Sequence, residues 1–454
     1  MRAPLRFGTD GIRGSDADLT PELAVALGRA AARVLRTGPL ERVVIGRDTR
    51  RSGLLLESAL AAGLAAEGAN VERLGVVPTP AVAWVSAAED VVGVMISASH
   101  NVFSDNGIKF FARGGRKLSD EVEAELEAEL EAELDLQAAG QRSPRSGGTA
   151  LGTVTDRHDV GPGYVDALLT SLEGRRLNGL SIVVDAAHGA ASVVAPQGLE
   201  RAGAAVAVLH AEPTGTNINH ASGSTHPEAL CQAVVDAGAD LGLALDGDAD
   251  RVIAVDHRGR LVDGDQVIAM LALDLKARGK LRDDTVVVTV MTNLGFRRAM
   301  GGQGITVVET PVGDRHVLAA LERGGWSLGG EQSGHVILHD LATTGDGLLT
   351  GLMVADLVAR SRRPLADLAA AAMTRLPQVL RAVTVERRQS AISERLTAQV
   401  AAVQAELGDC GRVLLRLSGT EAVVRVMVEA PTHELAEHHA DRLAAEVERS
   451  SAIP

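Results

Sequence analysis

The chain has 454 residues, too many for one hydrophobic core and enough for three or four domains. A formal net charge of −14 argues against nucleic acid or an anionic membrane as the main partner, although local arginine clusters can still bind small anions. Aromatic residues make up only 2%, so the cores must be built from Ala, Val and Leu. Cys231 and Cys410 lie far apart without CxxC spacing, which argues against a disulfide scaffold and a cysteine zinc site and fits a reducing compartment. The first residues lack the apolar stretch of a signal peptide, and no run of 18 apolar residues predicts a membrane span, so a cytoplasmic protein is expected.

Phe7 to Gly14, Phe-Gly-Thr-Asp-Gly-Ile-Arg-Gly, has glycines that let a ligand approach the backbone, and Arg13 offers a planar fork suited to phosphate. Thr20 to Arg36 predicts a capped amphipathic helix with Pro21 in its first turn. A strand at Val43–Ile45, a basic loop from Gly46 to Gly53, a helix over Leu54–Glu67 and a strand near Val71–Leu74 make a βαβ unit and imply a parallel sheet. Gly93–Ile96 predicts a buried strand ending at Ser97. Ser99, His100 and Asn101 then fall on the loop at its carboxyl end, where α/β sheets bind ligands. Asn106-Gly107 reads as a hairpin turn that returns a strand bearing Lys109 within reach of Ser99. Ser119–Leu136 predicts an acidic, solvated helix with Val122, Leu126, Leu130 and Leu134 on one face, and Gln141–Gly152 a linker.

A second section opens near Tyr164 with a helix to Leu172, followed by a buried strand at Ser181–Asp185 and a polar loop from Ala186 to Ala191. The strand Leu241–Leu245 empties into Asp246-Gly247-Asp248-Ala249-Asp250-Arg251. A third βαβ set from His257 to Pro364 includes a strand at Val286–Val290 and polar loops at Thr310–His316 and Gly329–His335. The pattern shifts near residues 365–375. Strands at Val383–Val385, Val413–Leu417 and Val423–Val428, with helices at 389–406 and 432–449, then predict an α+β domain.

Asp246, Asp248 and Asp250 put three carboxylates on alternate residues of one turn. Like charges this close repel, so the pattern points to a bound cation, and all-oxygen ligands suit Mg²⁺ or Ca²⁺. An EF-hand is excluded, because Arg251 stands where that loop needs Gly and His257 where it needs Glu. Arg416, Ser418, Gly419, Thr420 and Arg425 combine fork donors, hydroxyls and turn amides suited to phosphate, with a hairpin carrying a capping Thr as the competing reading. Glu331, Ser333 and His335 mix acceptors, a hydroxyl and an imidazole on a glycine-rich loop, which suits sugar hydroxyls and acid–base work near neutral pH. No phosphate-binding P-loop, dinucleotide fingerprint or nucleophile elbow is present. Ser99 and His100 are adjacent, so their side chains are expected to diverge rather than form a hydrolase triad.

Four of these loops together resemble the α-D-phosphohexomutase superfamily, most closely its bacterial glucosamine branch. Ser-Ala-Ser-His-Asn at 97–101 resembles its phosphoserine loop and Asp-Gly-Asp-Ala-Asp-Arg at 246–251 its metal loop. Gly-Glu-Gln-Ser-Gly-His at 330–335 resembles its sugar loop and Arg-Leu-Ser-Gly-Thr-Glu at 416–421 its phosphate loop. Gln332, the opening Phe7–Gly14, Asn217-Ile218-Asn219 and Gly223–Glu228 look like the glucosamine branch. Val102 and Ala422 stand where the family usually has proline, which predicts altered loop mobility rather than altered chemistry.

The resemblance implies a heart-shaped molecule around a central cleft, with three related mixed α/β domains and a C-terminal α+β domain. The boundaries expected are 1–150, 151–256, 257–372 and 373–454. It implies interconversion of glucosamine 6-phosphate and glucosamine 1-phosphate through a phosphoserine enzyme and a bisphosphate, with Mg²⁺ as cofactor. The runner-up is a phosphomannomutase or phosphoglucomutase of the same superfamily. Ser99, His100, Lys109, Arg13 and His335 would be catalytic. Ser99, Asp246, Asp248 and Asp250 would hold the metal, beside Arg251. Glu331, Ser333, Gly313, Asp314, Arg315, Arg416, Ser418, Gly419, Thr420 and Arg425 would bind substrate. A small sugar phosphate is the expected partner, and a homodimer the assembly considered.

Overall fold

The computed structural model describes residues 7–8, 11–35, 42–141, 148–385, 395–417 and 422–451. The chain divides into two compact units, one of Met1–Val290 with Thr306–Ala370 and one of Met291–Ile305 with Ala371–Pro454.

The first unit holds three mixed sheets. In the first, Asn70–Val76, Arg42–Arg47 and Val92–Ile96 run parallel in that spatial order, and Asp105–Ala112 pairs antiparallel with Val92–Ile96. Gly11–Ser15 extends this sheet beyond Asp105–Ala112, and Val154–Asp156 extends it at the other edge. In the second, Ala205–Leu209, Ser181–Asp185 and Leu241–Leu245 run parallel and Val252–Asp256 returns antiparallel. In the third, Thr306–Thr310, Thr285–Thr289 and Leu328–Gly330 run parallel and Val336–Leu338 returns antiparallel. Each sheet therefore has the same four-strand centre: second strand, first, third, then an antiparallel fourth. The three sections are the related mixed α/β units that the resemblance implies.

Local sequence explains these elements. Thr20 caps the helix Pro21–Val34 by accepting from the Leu23 amide at 3.3 Å, and Pro21 fits where no intrahelical amide partner is needed. The strands Val92–Ile96 and Leu241–Leu245 are buried along their whole length, as strands covered by helices on both faces must be.

Two expectations fail here. Asn106-Gly107 is not a turn: both residues lie inside the strand Asp105–Ala112, and the turn spans residues 97–104. Gly107 is needed for close approach, because a Cβ there would lie 2.3 Å from the Ser97 carbonyl oxygen. The returning strand itself is present and carries Lys109. The helix Asp120–Ala138 is not merely solvated. Leu126 and Leu130 enter the core against Pro21–Val34, about 2 kcal/mol each, and the buried Glu133 pairs with Arg29 at 3.0 Å and Arg33 at 3.1 Å. The sequence reading also passed over the helices Thr79–Glu89, Val194–Ala202 and Glu228–Ala237 and the strand Ala205–Leu209.

The second unit is α+β. Gln378–Thr384, Val423–Glu429 and Arg412–Leu417 form an antiparallel sheet with Val423–Glu429 in the middle. The helices Thr397–Leu407 and His433–Ser451 share a core with it around Val403, Val426 and Leu443. The helix Leu294–Gly302 belongs here too: buried Glu429 accepts from its Leu294 amide at 3.0 Å and from Arg412 Nε at 2.6 Å.

Candidate active site

The repeated topology places three of the four candidate loops at one structural position. The Ser99 loop joins the third and fourth strands of the first sheet. Asp246–Arg251 does so in the second sheet, and Glu331–His335 in the third. Each polar loop is thus the carboxyl end of a buried central strand, where backbone amides and side chains can face a ligand.

Ser99 sits at φ +51°, in the left-handed region, and its amide donates to Ser97 Oγ at 2.9 Å. Its hydroxyl donates to Asp246 Oδ2 at 2.6 Å, across 147 residues of sequence. The side chain does not diverge from His100, because this turn brings His100 Nδ1 to 3.4 Å from Ser99 Oγ. Burial, with Arg251 and Arg13 close by, lowers the His100 pKa to about 4, so the ring is neutral at pH 7.

The ligand atoms of Asp246, Asp248 and Asp250 all lie within 4.8 Å of one another, and all three residues are buried. Asp248 Oδ2 accepts from Thr79 Oγ1 at 2.6 Å and from Lys109 Nζ at 2.8 Å, and Lys109 also reaches Asp250 Oδ2 at 3.4 Å. Burial and repulsion from Asp250 and Asp248 push the Asp246 carboxyl well above the ordinary range. Burial works against charge on Asp250 as well, but Lys109, His335 and Arg251 outweigh it and hold that carboxyl well below the ordinary range. Asp248 Oδ1 and Asp250 Oδ1 are buried without a hydrogen-bond donor among the described residues. Buried carboxylate oxygens facing one another without donors fit a divalent cation, which would relieve both the repulsion and the lost hydration.

On the third loop, Glu331 Oε1 accepts from the Gly313 amide at 3.0 Å, and exposed Ser333 lies 3.4 Å from Glu331 Oε2. His335 is buried. Its Nε2 receives the Gly345 amide at 3.2 Å, so the ring proton belongs on Nδ1, which faces Asp250 Oδ1 at 3.7 Å. Burial disfavours its charge, yet Asp250, Asp314 and Glu331 together raise its pKa. Asp314 pairs with Lys117 and lies 3.6 Å from His335. Arg315 does not join this group, because its guanidinium pairs with Asp120 and with Glu123 Oε2 at 2.6 Å on the acidic helix. Arg13 lies on the strand Gly11–Ser15, opposite Gly107.

In the second unit, Arg416 and Arg425 stand directly opposite each other on adjacent strands. Ser418, Gly419 and Thr420 lie outside the described residues. Thr79 and Asn219 were not singled out as site residues from sequence. The structure places Thr79 on Asp248, and Asn219 Nδ2 on the Ser99 carbonyl at 2.8 Å. Their partners lie 169 and 120 residues away in sequence, so no local pattern marks them.

Family models of phosphoglucomutase/phosphomannomutase match nearly end to end: alpha/beta/alpha domain I at residues 4–137, domain II at 162–259, domain III at 263–376 and the C-terminal domain at 367–446. The chain belongs to this family. Among curated relatives, a phosphoglucosamine mutase of Frankia alni is 54% identical over 460 residues, covering 99% of each chain. One of Thermobifida fusca is 53% identical, covering 96% of this chain and 97% of its own. Among solved structures, a phosphoglucomutase/phosphomannomutase family protein of Burkholderia thailandensis covers 100% of both chains with TM-score 0.80 at 24% identity. The N-acetylphosphoglucosamine mutase of Aspergillus fumigatus, solved with GlcNAc-6P and magnesium, has TM-score 0.70 at 19% identity, covering 99% of this chain and 96% of its own. These two structures show that the family shares this fold. No helix among the described residues is long and apolar enough to cross a membrane.

Proposed function

We propose that this chain interconverts glucosamine 6-phosphate and glucosamine 1-phosphate, with phosphoserine 99 as donor and a glucosamine bisphosphate as intermediate. The product would supply UDP-N-acetylglucosamine and peptidoglycan synthesis. The observation that carries this reading is the Ser99 hydroxyl 2.6 Å from Asp246 in a buried triad of carboxylates, in a chain more than half identical to phosphoglucosamine mutases.

In the first half-reaction the Ser99 Oγ–P bond breaks as a bond forms from phosphorus to the free sugar hydroxyl. That hydroxyl gives up its proton and Ser99 Oγ receives one. In the second half-reaction the other phosphoryl group of the bisphosphate moves to Ser99 Oγ, and the protons move in the opposite sense. Such transfers need alignment and charge neutralisation more than covalent help. Mg²⁺ bound by Asp246, Asp248, Asp250 and phosphorylated Ser99 would supply positive charge at the transferring group, and it suits the all-oxygen ligands. Lys109, Arg13 and Arg251 add fixed charge there, and neutral His100 lies beside Oγ. With Nε2 accepting from the Gly345 amide and Nδ1 3.7 Å from Asp250 Oδ1, His335 is suited to steadying the Asp250 carboxylate electrostatically.

Glu331 and Ser333 bind sugar hydroxyls, and the Gly313–Asp314 turn holds the Glu331 carboxylate. Arg416, Ser418, Gly419, Thr420 and Arg425 bind the phosphate that is not being transferred. Arg416 and Arg425 set two planar guanidinium forks side by side on adjacent strands, which suits them to a phosphate. Four domains, with limits near 150, 256 and 372, and a cytoplasmic location complete the proposal. Free Cys231 and Cys410 are compatible with that compartment.

The test is turnover of glucosamine, glucose and mannose 6-phosphates in coupled assays. Preference for the glucosamine ester supports the proposal. Equal or better turnover of the other two favours the phosphomannomutase/phosphoglucomutase alternative. Release of inorganic phosphate without isomerisation rejects both.

A further inference from the structure

Arg50 is buried at the base of the Ser99 loop, with 2% of its surface exposed. A guanidinium has five N–H donors. Nε donates to Asp48 Oδ2 at 2.9 Å. One terminal nitrogen donates to the carbonyl oxygens of Val102 and, at 3.0 Å, Asp105. The other donates to those of Ser99 and Asn101, both at 3.0 Å. All five donors are thus spent on protein acceptors. Four of the acceptors are backbone carbonyls between residues 99 and 105.

Asp48, fully buried, neutralises the cation and holds the loop's first turn too. Its Oδ2 accepts from Ser97 Oγ at 2.7 Å, and that same Oγ receives the Ser99 amide. Asn219 Nδ2 grips the Ser99 and Asn101 carbonyls from the second section, at 2.8 and 2.9 Å.

We propose that Arg50 is a positioning residue for phosphoryl transfer. By drawing four loop carbonyls onto one planar fork it fixes the left-handed backbone of Ser99 and aims Oγ at the carboxylate triad. The inference rests on the mutase reading of the site. Arg50 contributes no donor to substrate, and with Asp48 it contributes no net charge, so its effect runs through backbone geometry. Lysine cannot replace it: three donors on a single nitrogen cannot serve five acceptors spread around a plane.

The experiment compares wild type with Arg50→Lys and Asn219→Ala in the full-length protein. It measures folding by circular dichroism, kcat and KM with glucosamine 6-phosphate, and hydrogen exchange across residues 97–106. A displacement of about 1 Å in a reacting group can cost about 100-fold in rate. Arg50→Lys is therefore expected to lower kcat about 100-fold, leave KM within about 2-fold and speed exchange of the loop at least tenfold. Asn219→Ala should do the same to a smaller extent, and it decides the matter if Arg50→Lys fails to fold. A KM that rises at constant kcat would mean that Arg50 binds substrate, and overturns the proposal. Unchanged loop exchange in a folded variant overturns it whatever the activity. An inactive wild type counts against the mutase reading alone, because the exchange measurement still tests the clamp.

Discussion

Asp246→Asn separates the cost of the carboxylate triad from its use. At an effective dielectric constant of about 20, two unit charges 4.8 Å apart repel by about 3.5 kcal/mol, so three ionised carboxylates store about 10 kcal/mol of repulsion. Neutralising Asp246 removes two of the three pairs, in keeping with the upward push that burial and its neighbours Asp250 and Asp248 give that carboxyl's pKa. A carboxamide there resembles the protonated acid. Its oxygen can keep the Arg251 amide, now 3.2 Å from Oδ1, while the Ser99 hydroxyl rotates from donor to acceptor. In EDTA the variant should match wild-type stability within about 1 kcal/mol. With Mg²⁺ at 100 times the dissociation constant, wild type gains about 2.7 kcal/mol. A 100-fold weaker site at the same Mg²⁺ concentration leaves about 0.4 kcal/mol, and loss of a charged ligand should cost at least that much affinity. Scanning calorimetry at pH 7.5 with EDTA and with Mg²⁺ reads both numbers. A variant that loses several kcal/mol in EDTA, or keeps the whole Mg²⁺-dependent rise, would refute the reasoning.

Arg416→Ala removes a charge-assisted bond to the second phosphate worth about 1.5–3 kcal/mol, so KM should rise about 10- to 100-fold while Ser99 still carries phosphate; steady-state kinetics and intact mass would show it, and an unchanged KM would leave only a hairpin. Buried Asp346 has its pKa raised by burial from 3.8 to about 6, although the Leu349 amide and the Tyr164 hydroxyl oppose the rise. The folded state then binds the extra proton between those values, so this group stabilises fully below about pH 4 and its contribution is lost as pH rises through about 6. Between pH 4.5 and 7, denaturant titrations should show wild type losing about 2 kcal/mol relative to Asp346→Asn, and parallel pH profiles would contradict this.

The four motif loops were legible because each ends a strand with small, polar and charged residues in a fixed order, and that order carried the family and the fold class. The threefold strand order was not legible, since the Ser99, Asp246 and Glu331 loops share no sequence. The helix Thr79–Glu89 was missed because Ala81, Val82, Ala83 and Val85 are all buried, leaving no polar face to give a helical period. Strand Ala205–Leu209 runs along a sheet edge without a buried face to mark it. Asn106-Gly107 misled because a glycine admitting the Ser97 carbonyl looks like a glycine turning a hairpin. Within Gly46–Gly53 the basic character was read, but not that Arg50 spends four of its five donors on carbonyls some 50 residues away.

Intact mass of the purified protein before and after incubation with glucosamine 1,6-bisphosphate tests the central claim most directly, with Ser99→Ala measured in parallel. The account predicts a single added phosphoryl group on wild type that glucosamine 6-phosphate removes, none on a folded Ser99→Ala, and isomerase activity lost only in that variant. Phosphorylation at another residue, or normal turnover of glucosamine 6-phosphate by folded Ser99→Ala, would contradict it.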